Sequence, residues 1–129
     1  MPVLTIDNRE GALQNLETTE SATWEQVETA IRSLDAQHRT MVTIEQDDIA
    51  YMGVGGGNGR YVVAVVTPDE TNLTLVDPTK TSATEQLVTG GQLGNFPANT
   101  VVDLNAALKA ARAYLETGST DPALTWLDD

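Results

Sequence analysis

Hydrophobic residues are most concentrated at Tyr51–Thr67, where two apolar runs flank a glycine-rich turn. Asn58 and Gly59 both tolerate the positive φ angle that matches the twist of paired strands, so this dipeptide predicts a tight hairpin. The second run, Tyr61–Val66, is uncharged and apolar on both faces, as is typical of a mid-sheet strand that is covered on both sides. We therefore expect the rest of the chain to be organised around this hairpin.

Apolar residues at helical spacing predict two helices, at about residues 24–35 and 104–117. Thr23 stands at the capping-box spacing before the first helix, three residues ahead of a glutamine. Asp103 and Gly118 are typical start and stop residues for the second helix. The stripes expected to face the core are Trp24, Val27, Ile31 and Leu34 in the first helix, and Leu104, Leu108, Ala111 and Leu115 in the second.

Further strands are predicted at residues 39–46, 72–77 and 85–88, with a short edge strand at residues 3–6. Short turns join the three central strands, which indicates an antiparallel meander. Residues 94–97 contain Gly and Pro and are expected to break any regular element. The expected fold is α+β, a mostly antiparallel sheet of about five to six strands packed by the two helices.

The length of 129 residues predicts one domain. Residues 7–20 are polar and carry acidic residues on both sides of Gly11, so we expect this stretch to be mobile or loosely attached. The expected organisation is a poorly determined N-terminal segment at residues 1–20, followed by a single α+β domain at residues 21–129.

The net charge is −12, from 19 acidic and 7 basic residues. Nucleic acids and anionic membranes attract basic surfaces, so partners of both kinds are excluded. The acidity is explained by solvation or a salty habitat, or else by attraction to a basic partner. The clustering of the acidic residues favours a basic partner as the explanation. Residues 44–77 contain one basic residue, Arg60, and six acidic residues: Glu45, Asp47, Asp48, Asp69, Glu70 and Asp77.

Cysteine is missing from the sequence, which excludes disulfides and thiolate chemistry. The N-terminus lacks a basic segment followed by an apolar core, and no apolar run is long enough to span a bilayer. We therefore expect a cytoplasmic location.

Signals for catalysis or for a bound metal or cofactor are weak. The loop Gly55–Arg60 leads into a strand and lacks an adjacent lysine, unlike phosphate-binding loops that open a helix. His38 is the only histidine, and the acidic pairs lack the ligand spacing of an EF-hand. A catalytic pair of carboxylates stays an alternative, because acids distant in sequence can meet in space. We expect no catalytic residue, no metal, no cofactor and no enzymatic activity.

Several motifs between Trp24 and Trp126 occur in a characteristic order and spacing. They are the helix that Trp24 opens, the hairpin VGGGNGRYVV at Val54–Val63, Leu75–Pro78, the turn Gly90–Gln92 with the following Pro97, Val101–Val102 before the alanine-rich helix Ala106–Ala113, and the terminal Trp126. Together they resemble the first-numbered immunity-protein family of bacterial polymorphic toxin systems. The first twenty residues lie outside the resemblance.

The resemblance implies an α+β protein that binds a cognate bacterial toxin and blocks its active site. Immunity proteins of this group are often encoded beside deaminase toxins, so it further implies a nucleic-acid deaminase with a basic groove and a catalytic zinc of its own. Our hypothesis is that turns around the hairpin help to cap this groove through the residues Glu45, Asp47, Asp48, Asp69 and Glu70.

Other functions stay open on the sequence alone. One is a non-enzymatic small-ligand-binding or regulatory module, which we expect to contain a deep apolar pocket with a few convergent polar groups. Another is a housekeeping domain whose acidity reflects only its habitat. Both a monomer and a dimer are compatible with these patterns.

Overall fold

The computed structural model describes residues 2–10, 13–81 and 83–128. Some of the expectations above extend to residues that lie outside the described ones, namely Met1, Gly11, Ala12, Ser82 and Asp129. The elements are β1 (Val3–Glu10), β2 (Leu13–Glu20), α1 (Trp24–Arg32), β3 (Met41–Glu45), β4 (Tyr51–Gly57), β5 (Arg60–Val66), β6 (Asn72–Val76), β7 (Thr84–Thr89), β8 (Gln92–Pro97), a short 3-10 helix (Ala98–Thr100), α2 (Leu104–Thr117) and β9 (Thr125–Asp128).

The protein has an α+β fold, which confirms the predicted class. Seven strands form an antiparallel sheet in the order β2-β1-β3-β4-β5-β6-β9, and β7 pairs with β8 in a separate two-stranded sheet. The strand count is therefore somewhat higher than we expected. In the described part of the chain, neither helix is long and apolar enough to cross a membrane.

The predicted central hairpin is confirmed. Strands β4 and β5 pair from Tyr51 opposite Val66 to Gly57 opposite Arg60. The two turn residues both have positive φ, 55° at Asn58 and 85° at Gly59, as the hairpin requires. Strand β4 lies at the centre of the seven-stranded sheet, with three strands on each side.

Both helices pack on one face of the sheet, which we call the inner face. The core includes Val27 and Ile31 of α1, Ala111 and Tyr114 of α2, and the inward side chains of the strands. The predicted capping box of α1 is present, because Thr23 accepts from the Gln26 backbone and donates from its own backbone to the Gln26 side chain. Helix α1 ends at Arg32, with Ser33 at the C-cap position, rather than near residue 35.

The expectation of a mobile or loosely attached stretch at residues 7–20 is wrong for its described residues. They belong to strands β1 and β2, and β1 also pairs with β3 inside the large sheet. Leu4 and Ile6 are buried on the inner face, and Asp7 is buried with hydrogen-bond partners from outside its own strand. The predicted domain at residues 21–129, separate from residues 1–20, stays a prediction.

The expected break at residues 94–97 is also wrong. Gln92–Pro97 forms strand β8, which pairs with β7 along its whole length. This sheet has only two strands, so β8 is an edge strand, where proline and glycine are tolerated. The ring of Phe96 lies against Gly94, where an added Cβ atom would be only 3.0 Å from the ring, so a larger residue would be tightly packed.

Strand β5 is not covered on both sides, contrary to our expectation. Its inward side chains, among them Val63 and Val65, are buried against the helices. On the opposite, outer face Ala64 is exposed, and Val62 and Val66 are only half-buried. The outer face of the sheet is therefore partly open, and the candidate site lies there.

Candidate partner-binding surface

A buried carboxylate ties β7 and β8 to the outer side of the large sheet. Asp7 is 3% exposed and accepts hydrogen bonds from the backbone N–H groups of Thr40 and Met41, at 2.7 and 2.9 Å. It also accepts from the Thr40 hydroxyl and from Arg9 Nε. Thr40 Oγ1 in turn accepts from Gly91 N at 2.8 Å, and Arg9 Nη2 donates to Gly90 O at 2.9 Å. The β7–β8 turn is therefore fixed by groups that Asp7 positions.

The ionised form of Asp7 is favoured in the folded protein. Burial by itself would raise the pKa of this carboxyl, but the hydrogen bonds from Thr40, Arg9 and Met41 outweigh burial and hold the pKa below its ordinary value. Asp7 is therefore a structural anion whose charge is compensated locally.

Glycine allows β7 to lie directly against the centre of the sheet. A Cβ atom at Gly55 would stand only 2.7 Å from Thr89 Cγ2, so any larger residue would push β7 away from β4. At Gly53, which is also on the outer face, a Cβ atom would meet only Met41 Sδ, at 3.5 Å. Gly53 is buried, but a Cβ atom there would be in ordinary van der Waals contact and would fit.

A groove, here called the sheet groove, runs over this open part of the outer face beside the β7–β8 pair. It has a volume of about 420 Å³. Its floor is nearly free of side chains, because Gly53 of β4 lies opposite Ala64 of β5. The residues that line the groove are Met41, Thr43, Tyr51, Gly53, Gly55, Val62, Ala64, Thr89 and Phe96.

The predicted partner-binding residues lie at one end of the sheet, here called the acidic end. Strand pairing places Glu45 opposite Tyr51, and Tyr51 opposite Val66. The turn after β3 and the turn after β5 therefore project from the same end of the sheet. The five exposed residues of the acidic end are Glu45, Asp47, Asp48, Asp69 and Glu70.

Two of these five carboxylates help to close their own turns. Asp47 accepts from the backbone N–H groups of Ile49 and Ala50, at 2.8 and 2.7 Å. Asp69 accepts from the Thr67 hydroxyl and from Thr71 N. These bonds lower the pKa of both aspartates. The largest cause at Asp47 is the hydrogen bond from the Ala50 backbone, and the largest cause at Asp69 is the hydrogen bond from the Thr67 side chain. Both carboxylates are exposed and negative at neutral pH.

The other three carboxylates are available to a partner. Within the described residues, the side chains of Glu45, Asp48 and Glu70 have no hydrogen-bond or ion-pair partner. Two apolar side chains stand beside them: Ile49 is 45% exposed and Tyr51 is 41% exposed. Apolar anchors within a polar surround are typical of protein interfaces, and tyrosine is enriched among the residues that dominate binding energy.

A comparison with known protein families identifies the kind of protein. The family model of immunity protein Imm1 matches residues 16–128. The chain belongs to the Imm1 immunity protein family. The match begins within β2, so it includes part of the N-terminal stretch that the sequence motifs left out. No curated protein matches the chain. Membership of the Imm1 family implies a cognate toxin as the partner of this protein.

Sequence reasoning missed the apolar half of this Imm1 surface. The alternation that buries Met52 and Val54 on the inner face requires Tyr51 to point outward, so the exposure of Tyr51 was available from the pattern. Ile49 carried no comparable signal, because it lies in a turn. The groove itself depends on where β7 and β8 pack, which the sequence does not reveal.

Other candidate chemistry has an ordinary structural explanation. His38 lies on the surface with its Nδ1 3.6 Å from a carboxylate oxygen of Asp35. The Gly55–Arg60 loop ends one strand and begins the next, so its glycines serve a hairpin. Among the described residues, no three histidine or acidic side chains come together to hold a metal ion.

Proposed function

We propose that this Imm1 protein binds a cognate bacterial toxin domain, a nucleic-acid deaminase, and neutralises it in the cytoplasm by occluding its basic active-site groove. It does so without catalysing a reaction. The observation that carries the proposal is the combination of Imm1 membership with an acidic end whose carboxylates are exposed.

Electrostatics supports a nucleic-acid-processing toxin as the target. An enzyme that grips a polyanion needs a groove lined with basic residues. A protein of net charge −12 complements such a groove when it presents carboxylates without a partner among the described residues, beside exposed apolar side chains. Complementary fields accelerate encounter and disfavour wrong partners. The catalytic zinc belongs to the deaminase, so the immunity protein requires no metal of its own.

A domain of 129 residues is large enough to present a specific protein interface. A specific interface of ordinary size takes roughly 20–30 residues from each partner. The acidic end and the sheet groove adjoin each other at Tyr51 and Thr43, so one continuous face presents both charge and apolar area.

Co-expression with the product of the adjacent gene tests the proposed function. Cells that make this toxin alone should stop growing, and cells that also make the Imm1 protein should grow. An unrelated acidic protein of similar size serves as the control and should not rescue growth. Failure of the Imm1 protein to rescue, with both proteins present in soluble form, would refute the proposal.

A further inference from the structure

A second, acidic pocket lies beside the sheet groove. That pocket has a volume of about 290 Å³ and is lined by Thr43, Glu45, Asp47, Asp48 and Tyr51. Thr43 and Tyr51 also line the sheet groove, so the two spaces share a wall. A ligand that follows the sheet outer face would pass from an apolar floor at Gly53 to carboxylates at the acidic end.

This arrangement selects a long side chain with an apolar stem and a cationic head. We propose that the sheet groove receives an arginine side chain of the toxin, an inference that rests on the proposed function. The methylene stem lies over Gly53 and Ala64, which leave room for it. The guanidinium stacks on the exposed ring of Tyr51 and donates hydrogen bonds to Glu45 and Asp48, whose carboxylates have no partner among the described residues.

Arginine fits better than lysine because its planar guanidinium stacks on aromatic rings and bonds carboxylates through two parallel N–H donors. A second copy of this chain is a poor occupant for electrostatic reasons. Two molecules of net charge −12 repel each other, and a symmetric pairing through this face would bring the two acidic ends together. Charge complementarity therefore commits the groove to a basic partner.

Filling the groove tests the proposal. Gly53→Val places a branched side chain in the sheet groove, where a Cβ atom meets only Met41 Sδ at 3.5 Å. The fold should persist, because Gly in mid-strand is replaced by a residue with high strand propensity. We expect affinity for a catalytically inactive form of the adjacent-gene toxin to fall about 10- to 100-fold. Gly53→Ala should cause a smaller loss.

The control is Thr18→Val, which replaces a hydroxyl with a methyl group on the same face and so places a valine there. Strand pairing connects Thr18 to Thr5, Thr5 to Thr43 and Thr43 to Gly53, so Thr18 lies on the same cross-strand row but at the edge strand β2. Affinity should change by less than about twofold for this variant. Thermal unfolding and circular dichroism of all variants establish that each is folded.

A double-mutant cycle identifies the occupant. Tyr51→Leu removes the ring, and each surface arginine of the toxin is changed in turn to Met, which keeps a stem and removes the charge. For one arginine, the combined effect of the two changes on affinity should differ from the product of the single effects by about threefold or more. For every other arginine, the two effects should simply multiply. The sedimentation mass of the wild-type protein alone should equal that of Gly53→Val at every concentration.

The outcomes separate this inference from the proposed function. If the wild-type protein fails to bind the toxin, the proposed function fails and the inference falls with it. If the wild-type protein binds and Gly53→Val binds equally well, only the groove assignment is overturned. It is likewise overturned if no arginine couples to Tyr51, or if Gly53→Val dissociates a wild-type dimer.

Discussion

Replacing Asp7 with alanine should lower the free energy of unfolding by about 3–5 kcal/mol. The change leaves the Thr40 and Met41 backbone N–H groups without their buried acceptor, and Arg9 loses its counter-ion. Domains of this kind are stable by only about 5–15 kcal/mol, so the loss is a large share of the total. Urea denaturation followed by circular dichroism measures it.

Acid should remove the same contribution from the wild-type protein. The folded pKa of Asp7 is below its ordinary value of 3.8, so the unfolded state binds more protons at low pH. The stabilisation is complete above the unfolded pKa and is lost as the pH falls through the lower folded value. Asp7→Asn, which keeps the size without the charge, should therefore show a shallower loss of stability below about pH 5.

The free energy of unfolding of Asp7→Asn should still fall with falling pH, because other aspartates with lowered pKa values remain, among them Asp35 and Asp77. Equal acid dependence in the wild-type protein and Asp7→Asn would contradict the role assigned to this carboxylate. The variant should also bind the toxin more weakly, because Asp7 positions Thr40 and Arg9 and thereby β7 and β8.

Reversing two charges at the acidic end should slow association with the toxin. For Glu45→Lys with Asp48→Lys, we expect an association rate constant about 10- to 100-fold lower at low ionic strength, with a weaker dependence on salt. Stability should change by no more than about 0.5 kcal/mol, because both residues are exposed and unpaired among the described residues. Stopped-flow binding at several salt concentrations provides the measurement.

The matched control applies the same charge change to the helical side of the protein. Glu25→Lys with Glu28→Lys alters α1, whose other face packs against the inner side of the sheet. This change also removes the exposed ion pair between Glu28 and Arg32, so urea denaturation of the variant must show that it is folded before its binding is compared. If net charge alone governs association, both double variants should slow it equally. That result would remove the special role of the acidic end, whereas a clearly larger effect at Glu45 and Asp48 supports it.

Local signals in the sequence were sufficient for part of this fold. The Asn58-Gly59 turn, the Thr23 capping box and the Gly118 helix stop each depend on residues within a few positions, and all three are confirmed. The meander also followed from short connections. It places both acidic turns at the same end of the sheet, so the clustering of the predicted site residues has a topological cause.

The parts that sequence reasoning missed depend on distant contacts. Asp7 is buried because Thr40, 33 residues further along the chain, supplies its hydrogen bonds. A polar stretch therefore became strands β1 and β2. Similarly, Gly94 and Pro97 break regular structure locally, but pairing with β7 holds them in β8. The sheet groove exists only because of these long-range arrangements, so no pattern in the sequence indicated it.

The proposed function requires that this Imm1 protein and nucleic acid compete for one groove on the toxin. The direct test is a competition titration, in which a fluorescent single-stranded oligonucleotide is bound to the catalytically inactive toxin domain and the Imm1 protein is added. We expect complete displacement of the oligonucleotide when the immunity protein is stoichiometric with the toxin. A stable complex that contains toxin, oligonucleotide and Imm1 protein together would contradict it.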